Sequence, residues 1–288
     1  MRGLEGGLSA LTPEQRSTLR ALVAAPKFEL IPMSNTLERA EALPPGALVT
    51  VTASPTKAIE DTIQIAEVLK SRGHTAIPHL SARMIRDRAH LNELLQRLGA
   101  AGIRRVFAVG GDAKDPGEFH DGLSLLRAID EAGRPLDEIG IPSYPEGHVN
   151  VDVEVLLRAL KDKQPHADYM ATQLCFDPTT IATWVGHMRA EGIELPMHLG
   201  TPGVADIRKL MGTAARIGLA DSARYLRKQR RVALRLLFGG SYGPEGLLLG
   251  LAPALADPSA DIRALHIFTF NQVAQTVDWQ RKMLDALS

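Results

Sequence analysis

Again and again along this chain, an apolar run short enough for one strand ends on a chemically able polar side chain, and a helix-period segment follows. Glu29 closes such a run at Lys27-Phe28-Glu29-Leu30-Ile31, His79 closes Thr75-Ala76-Ile77-Pro78-His79, and Asp112 follows Val106-Phe107-Ala108-Val109-Gly110-Gly111. Tyr144 and Glu146 follow Ile139-Gly140-Ile141-Pro142-Ser143, and Gln173 follows Tyr169-Met170-Ala171-Thr172. If the strands are parallel, all of these side chains emerge at one end of one sheet. That is the active face of a (β/α)8 barrel, whose reactive groups come from the C-terminal ends of several strands.

The alternation supports eight strands, near 27–31, 47–52, 74–79, 103–109, 138–143, 167–173, 195–199 and 264–269. Helices are expected near 35–42, 55–72, 86–100, 118–133, 151–163, 178–191, 204–217 and 271–286, with an extra helical insertion at about 220–256. Residues 1–25 read as an N-terminal extension, a loose leader and one helix that Thr12-Pro13-Glu14-Gln15 would start. Gly73, Gly102 and Gly192 each stand between a helical segment and a strand, where a left-handed C-terminal cap belongs. Asp177-Pro178 and Ser54-Pro55 offer a capping side chain followed by proline at the first helical position. Strict alternation favours an α/β fold closed into a TIM barrel over an open doubly wound sheet. A length of 288 residues suits one such barrel, and no linker divides residues 1–288 into further domains.

Charge excludes some partners. Lys plus Arg and Asp plus Glu both number 33, so no global field draws the chain to nucleic acid or an anionic membrane. Arg224, Arg227, Lys228, Arg230, Arg231 and Arg235 crowd one stretch, which reads as a solvated face without interleaved aromatics. The first residues hold no apolar signal-like region, and the lone Cys175 reads as a reduced buried thiol, so a cytoplasmic protein is expected. Exposed helix faces look charged, compatible with a monomer or a small homo-oligomer.

Among single residues Glu29 stands out, because a carboxyl between Phe28 and Leu30 is costly to ionise in an apolar setting. Desolvation would fit it for general acid work near neutrality. His79, His148 and His198 stand at strand ends and could hold a metal, but they lack the spacing of barrel metalloenzymes, so no metal is expected. Gly110-Gly111-Asp112 is a glycine turn presenting an acid, and Gly239-Gly240-Ser241-Tyr242-Gly243 lacks the context of a dinucleotide fingerprint.

Taken in order, the strand-end motifs resemble the methylenetetrahydrofolate reductase family. Phe28-Glu29-Leu30-Ile31-Pro32 is similar to its Phe-Glu-Phe-x-Pro-Pro start, Pro78-His79-Leu80 to its third-strand motif, and Gly111-Asp112 to its Arg-Gly-Asp turn. Tyr144-Pro145-Glu146-x-His148, Thr172-Gln173-x-x-Phe176-Asp177 and Phe268-Thr269-Phe270-Asn271 complete the series, which spans roughly 27–286. The resemblance implies reduction of 5,10-methylenetetrahydrofolate to 5-methyltetrahydrofolate by NADH or NADPH, usually through bound FAD. It implies Glu29 and Asp112 as catalytic residues, Glu29 being the acid that helps open the folate's five-membered ring. It assigns Asp112, Gln173, Phe268 and Asn271 to the folate, and Thr52, His79, Gly111, Tyr144 and His148 to the cofactor.

The chain departs from the family on the flavin side. Gly110 replaces an arginine, Phe119-His120 replaces Tyr-Ala, and the helix after strand five carries Val155, Arg158, Lys161 and Asp162 where the family has Asp, Asn, Arg and Lys. Weak or absent FAD binding is therefore expected, with hydride passing directly from nicotinamide to folate. Two other readings are a barrel that binds folate or flavin without reducing it, and a metal-dependent hydrolase built on His79, His148 and His198.

Overall fold

The computed structural model describes residues 2–149, 151–216 and 241–288. Eight parallel strands close a barrel: β1 (Lys27–Leu30), β2 (Leu48–Val51), β3 (Thr75–Ser81), β4 (Arg105–Val109), β5 (Glu138–Ser143), β6 (Tyr169–Thr172), β7 (Met197–Pro202) and β10 (Ile262–Phe268). Between the last two in sequence, β8 (Ala205–Asp206) and β9 (Ser241–Tyr242) pair antiparallel as a separate small sheet. Each barrel strand pairs with its neighbour in chain order, and β1 closes on β10 through Lys27 opposite His266 and Glu29 opposite Phe268.

Side-chain caps start several of the helices. α2 (Pro13–Ala24) opens with a reciprocal box: Thr12 Oγ1 accepts the Gln15 N–H at 3.2 Å while Gln15 Oε1 accepts the Thr12 N–H at 3.1 Å. α4 (Ile59–Ser71) and α5 (Arg88–Ala100) follow; in the second, Asp87 accepts the His90 N–H at 2.8 Å. Then come α6 (Gly122–Glu131), α7 (Val153–Lys163) and α8 (Pro178–Ala190), the last capped by Asp177 onto the Thr179 N–H at 2.9 Å. α11 (Val273–Leu287) ends the chain, and a short α3 (Thr36–Arg39) follows β1. Gly73, Gly102 and Gly192 have φ of 89°, 68° and 81°, the left-handed caps the sequence required.

Three boundaries differ from expectation. The leader is itself a helix, α1 (Arg2–Ser9). Ser54 turns the chain by accepting the Thr56 N–H at 3.4 Å, so Ser54-Pro55 precedes α4 rather than starting it. The expected insertion at 220–256 ends in α10 (Glu245–Ala256), which packs against α2 and α8. Its described part, α10, is a layer of the barrel's outer ring. The arginine-rich stretch and Gly239-Gly240 lie outside the described residues. Among the described residues, α9 (Ile207–Arg216) packs beside the strand ends: Ile207 and Leu210 bury with Leu174, Phe176 and Tyr242 against Phe268 and Phe270.

Alternation sorts the strand side chains. Phe28 and Leu30 face the helices within the large apolar cluster, and Lys27 and Glu29 therefore face inward. The interior has its own small cluster of Ile77, Phe107, Tyr169 and Ala171. Tyr169 fits because its register partner on β5 is Gly140, where an added Cβ would sit 2.2 Å from the ring. Gly140→Ala is expected to cost about 1–3 kcal/mol by overpacking. Gly186→Ala, on α8 with nothing within 4 Å of the new methyl, is expected to be neutral or to stabilise by about 0.5–1 kcal/mol. Urea midpoints of the two variants check this, and equal midpoints would contradict the packing argument.

Candidate active site

The inward face of β1 meets the inward face of β10 at a carboxyl–imidazole pair. Glu29 Oε2 lies 2.9 Å from His266 Nε2, and His79 Nε2, from β3, lies 3.8 Å from the same oxygen. The side chains of Glu29, His79 and His266 are only 12%, 8% and 2% exposed. Phe107 and Phe268 wall the group: His79 lies tilted 4.7 Å from Phe107, and His266 lies 5.2 Å from Phe268, centroid to centroid. Burial, partly opposed by Glu29 and reinforced by His266, lowers the His79 pKa from 6.5 to about 4, so His79 is neutral at pH 7. Glu29 is thus no isolated carboxyl among hydrocarbon, as the sequence suggested. It is held by an imidazole. His266 escaped the sequence reading, although Ala264-x-His266-x-Phe268 has the period-2 spacing that puts it beside Phe268.

One layer deeper, toward the N-terminal ends of the strands, the barrel holds a second polar group. Lys27 Nζ reaches across to Glu138 Oε1 at 2.7 Å and sits 3.7 Å above the Tyr169 ring. Tyr169 in turn stacks on His198 at 3.9 Å. Burial outweighs the attraction of Glu138 and lowers the Lys27 pKa from 10.5 to about 8. It also lowers that of His198 from 6.5 to about 2, with Lys27 contributing in the same sense. His198 therefore belongs to this buried stack, apart from the strand-end histidines.

The β4 and β5 ends bring together a different set. Gly111, at φ 85°, packs so tightly on Ser81 that a Cβ would meet Ser81 Oγ at 1.9 Å. Beyond it Asp112 is exposed. Tyr144 meets His148 edge-on at 5.4 Å, and burial, with Asp112 adding to it, raises the Tyr144 pKa. Behind Tyr144 a cavity of about 360 Å³ runs between α7 and α8, lined by Leu156, Lys163, Trp184 and Met188 among others. Burial lowers the Lys163 pKa, with only Asp121 opposing it. Gln173 turns its Oε1 back onto the Leu174 N–H at 2.7 Å, leaving its Nε2 unbonded among the described residues. Thr52 follows β2 half-buried, its N–H bonded to the Leu30 carbonyl at 2.9 Å.

Asn271 stands apart from the other expected folate residues. Its Oδ1 accepts the Ile31 N–H and its Nδ2 donates to the Ile31 carbonyl, both at 2.8 Å, and Nδ2 also reaches Thr36 Oγ1 at 3.3 Å. The side chain clamps the loop after β1 and is 2% exposed. Both it and Phe270 hold positive φ, 56° and 50°, at the turn after β10. Asn271→Ala removes a buried amide bonded at both ends and is expected to cost about 2 kcal/mol. It should also raise KM more than it lowers kcat, through a looser β1 loop; an unchanged melting midpoint would remove the clamp.

Among the described residues the group of candidate ligand atoms within 4.8 Å of one another is Glu29, His79 and His266. His79, His148 and His198 are not brought together, so the structure does not build the hydrolase trio. On α7 the positions that the resemblance assigns to a flavin are all exposed. Val155 is 50% exposed, Arg158 and Asp162 are exposed, and Lys161 is bonded to Glu191 of α8 at 2.8 Å. Toward a phosphate, Val155 offers no hydrogen bond and Asp162 a like charge, Lys161 is already paired, and Arg158 is an exposed cation.

Methylenetetrahydrofolate reductase 1 of Schizosaccharomyces pombe (strain 972 / ATCC 24843) is 28% identical over 162 residues, 53% of this chain and 25% of that protein. Methylenetetrahydrofolate reductase 2 of the same yeast is 27% identical over 149 residues, 45% of this chain and 23% of that protein. Methylenetetrahydrofolate reductase 2 of Saccharomyces cerevisiae (strain ATCC 204508 / S288c) is 26% identical over 129 residues, 41% of this chain and 21% of that protein. The matched region is thus a quarter or less of these relatives' length. No helix among the described residues is long and apolar enough to cross a membrane. The family model described as methylenetetrahydrofolate reductase matches residues 13–216, most of the barrel, and the chain belongs to that family.

Proposed function

We propose that this chain reduces 5,10-methylenetetrahydrofolate to 5-methyltetrahydrofolate, taking hydride directly from NADH or NADPH. The observation that carries the reading is Glu29, largely buried in the barrel and held by His266 at 2.9 Å. Protonated, Glu29 gives its proton to N10 of the folate, the N10–methylene bond breaks, and an iminium remains at N5. The carboxylate left behind faces that cation in a site of low water content, where the attraction is strong. Hydride from C4 of the nicotinamide adds to the exocyclic methylene carbon, giving the N5-methyl product and the oxidised nicotinamide. One proton and one hydride are consumed, and no mediator is required.

Gln173 offers its free Nε2 to the pterin, a flat group with paired donors and acceptors. Phe268 supplies an apolar wall and Asp112 an anionic rim toward the same ligand. Thr52, His79, Gly111, Tyr144 and His148 border the nicotinamide cofactor. The cavity behind Tyr144, with Trp184 and the buried Lys163, suits its adenosine and phosphate end. Titrating the purified protein with FAD tests the flavin-independent part. Binding no tighter than high micromolar is expected from the α7 positions, and tight one-to-one binding would overturn it.

A further inference from the structure

The polar trio at the β1, β3 and β10 ends has the composition of a metal site as well as that of an acid. Two imidazoles and one carboxylate, with their ligand atoms within 4.8 Å of one another, converge from three different strands. Glu29 Oε2 lies between the two ring nitrogens, 2.9 Å from His266 Nε2 and 3.8 Å from His79 Nε2. His79 Nε2 is buried and takes no hydrogen bond, so one ligand already points into the group without a partner. Three nitrogen and oxygen ligands plus one open position is the arrangement that zinc takes in catalytic sites, with metal–ligand bonds near 2.0–2.2 Å.

We propose that Glu29, His79 and His266 form a binding site for a divalent transition-metal ion of the zinc class, and that the occupied site is the inhibited state. A cation on Oε2 replaces the proton that Glu29 must carry, so metal and general acid exclude one another. His266 Nδ1 is buried without an acceptor, and a ligand imidazole lacking that outer hydrogen bond binds metal about 10–100-fold more weakly. The site is therefore regulatory in strength and is not a structural zinc centre. Metal binding itself is independent of the reductase reading; only the inhibition rests on it.

Titration of the chelator-treated full chain with Co²⁺ and Zn²⁺ is the test. One equivalent of Co²⁺ should give the intense visible bands of four- or five-coordination, displaced by Zn²⁺. His79→Gln and His266→Gln should each weaken binding by roughly tenfold or more. Anomalous scattering at the zinc edge from soaked wild-type crystals locates the ion without any variant. An ion between these three side chains supports the site. Absence of one equivalent, or binding unchanged in both variants, overturns it. Zinc that binds there yet leaves NADH oxidation untouched overturns the inhibitory role alone, and a protein with no turnover that still binds metal places the failure on the reductase reading.

Discussion

Glu29→Gln is expected to lower kcat for folate reduction by about 10²–10⁴-fold, the range for losing a positioned general acid. The amide has the shape of the acid and can still meet His266 Nε2, so the fold and the folate KM should change little. It has no proton to give N10, and it leaves no anion opposite the iminium. His266→Gln acts one step away. It keeps Glu29 but removes the imidazole that fixes it, so it should give a smaller loss with a displaced pH–rate profile. Steady-state kinetics with the melting midpoint as control measures both. A Glu29→Gln enzyme within threefold of wild type would remove Glu29 from the chemistry.

Acid should unfold this protein early. His79 and His198 hold pKa values of about 4 and about 2 in the folded barrel, against 6.5 when exposed. Between pH 6.5 and 4 the unfolded chain takes up protons that the folded chain refuses, so stability falls as pH falls through that window. The contribution of His79 starts to disappear at its unfolded value of 6.5 and is gone near 4; that of His198 continues below. A tenfold change in proton affinity is worth about 1.4 kcal/mol, so His79 alone accounts for a loss on the order of 3 kcal/mol. Urea denaturation from pH 7 to 4 should show that decline, and His79→Gln should flatten it by that amount. A wild-type curve level between pH 6.5 and 4 would contradict the buried, neutral assignment of both rings.

The barrel itself was legible because strand and helix periods differ and the turn residues mark their limits. Gly73, Gly102 and Gly192 fell where left-handed caps were expected, and all eight strands lie within a few residues of their expected places. What failed was local. Ser54-Pro55 has the chemistry of a helix start but serves a turn, and α10 looked like an insertion because nothing in its sequence says which layer it joins. At the candidate site, His79, Tyr144 and Gln173 stand out in the sequence because each closes or follows an apolar run, and Glu29 because it is a carboxyl inside one. His266, Lys27 and Tyr169 were missed because they lie inside the runs. Only the inward alternation and the closure of β1 onto β10 give them partners. Asn271 has a clear motif position, but its two bonds to Ile31, in the loop after β1 and 240 positions away, are not legible from that motif.

NADH oxidation by the purified protein, with 5,10-methylenetetrahydrofolate present and no flavin added, tests the central claim most directly. The visible spectrum recorded beforehand shows whether any FAD is carried along. Folate-dependent turnover by a colourless protein, lost in Glu29→Gln, is the expected result. Turnover that appears only after FAD is added would contradict the direct-hydride route while keeping the family, and would return α7 to the flavin despite Val155 and Asp162.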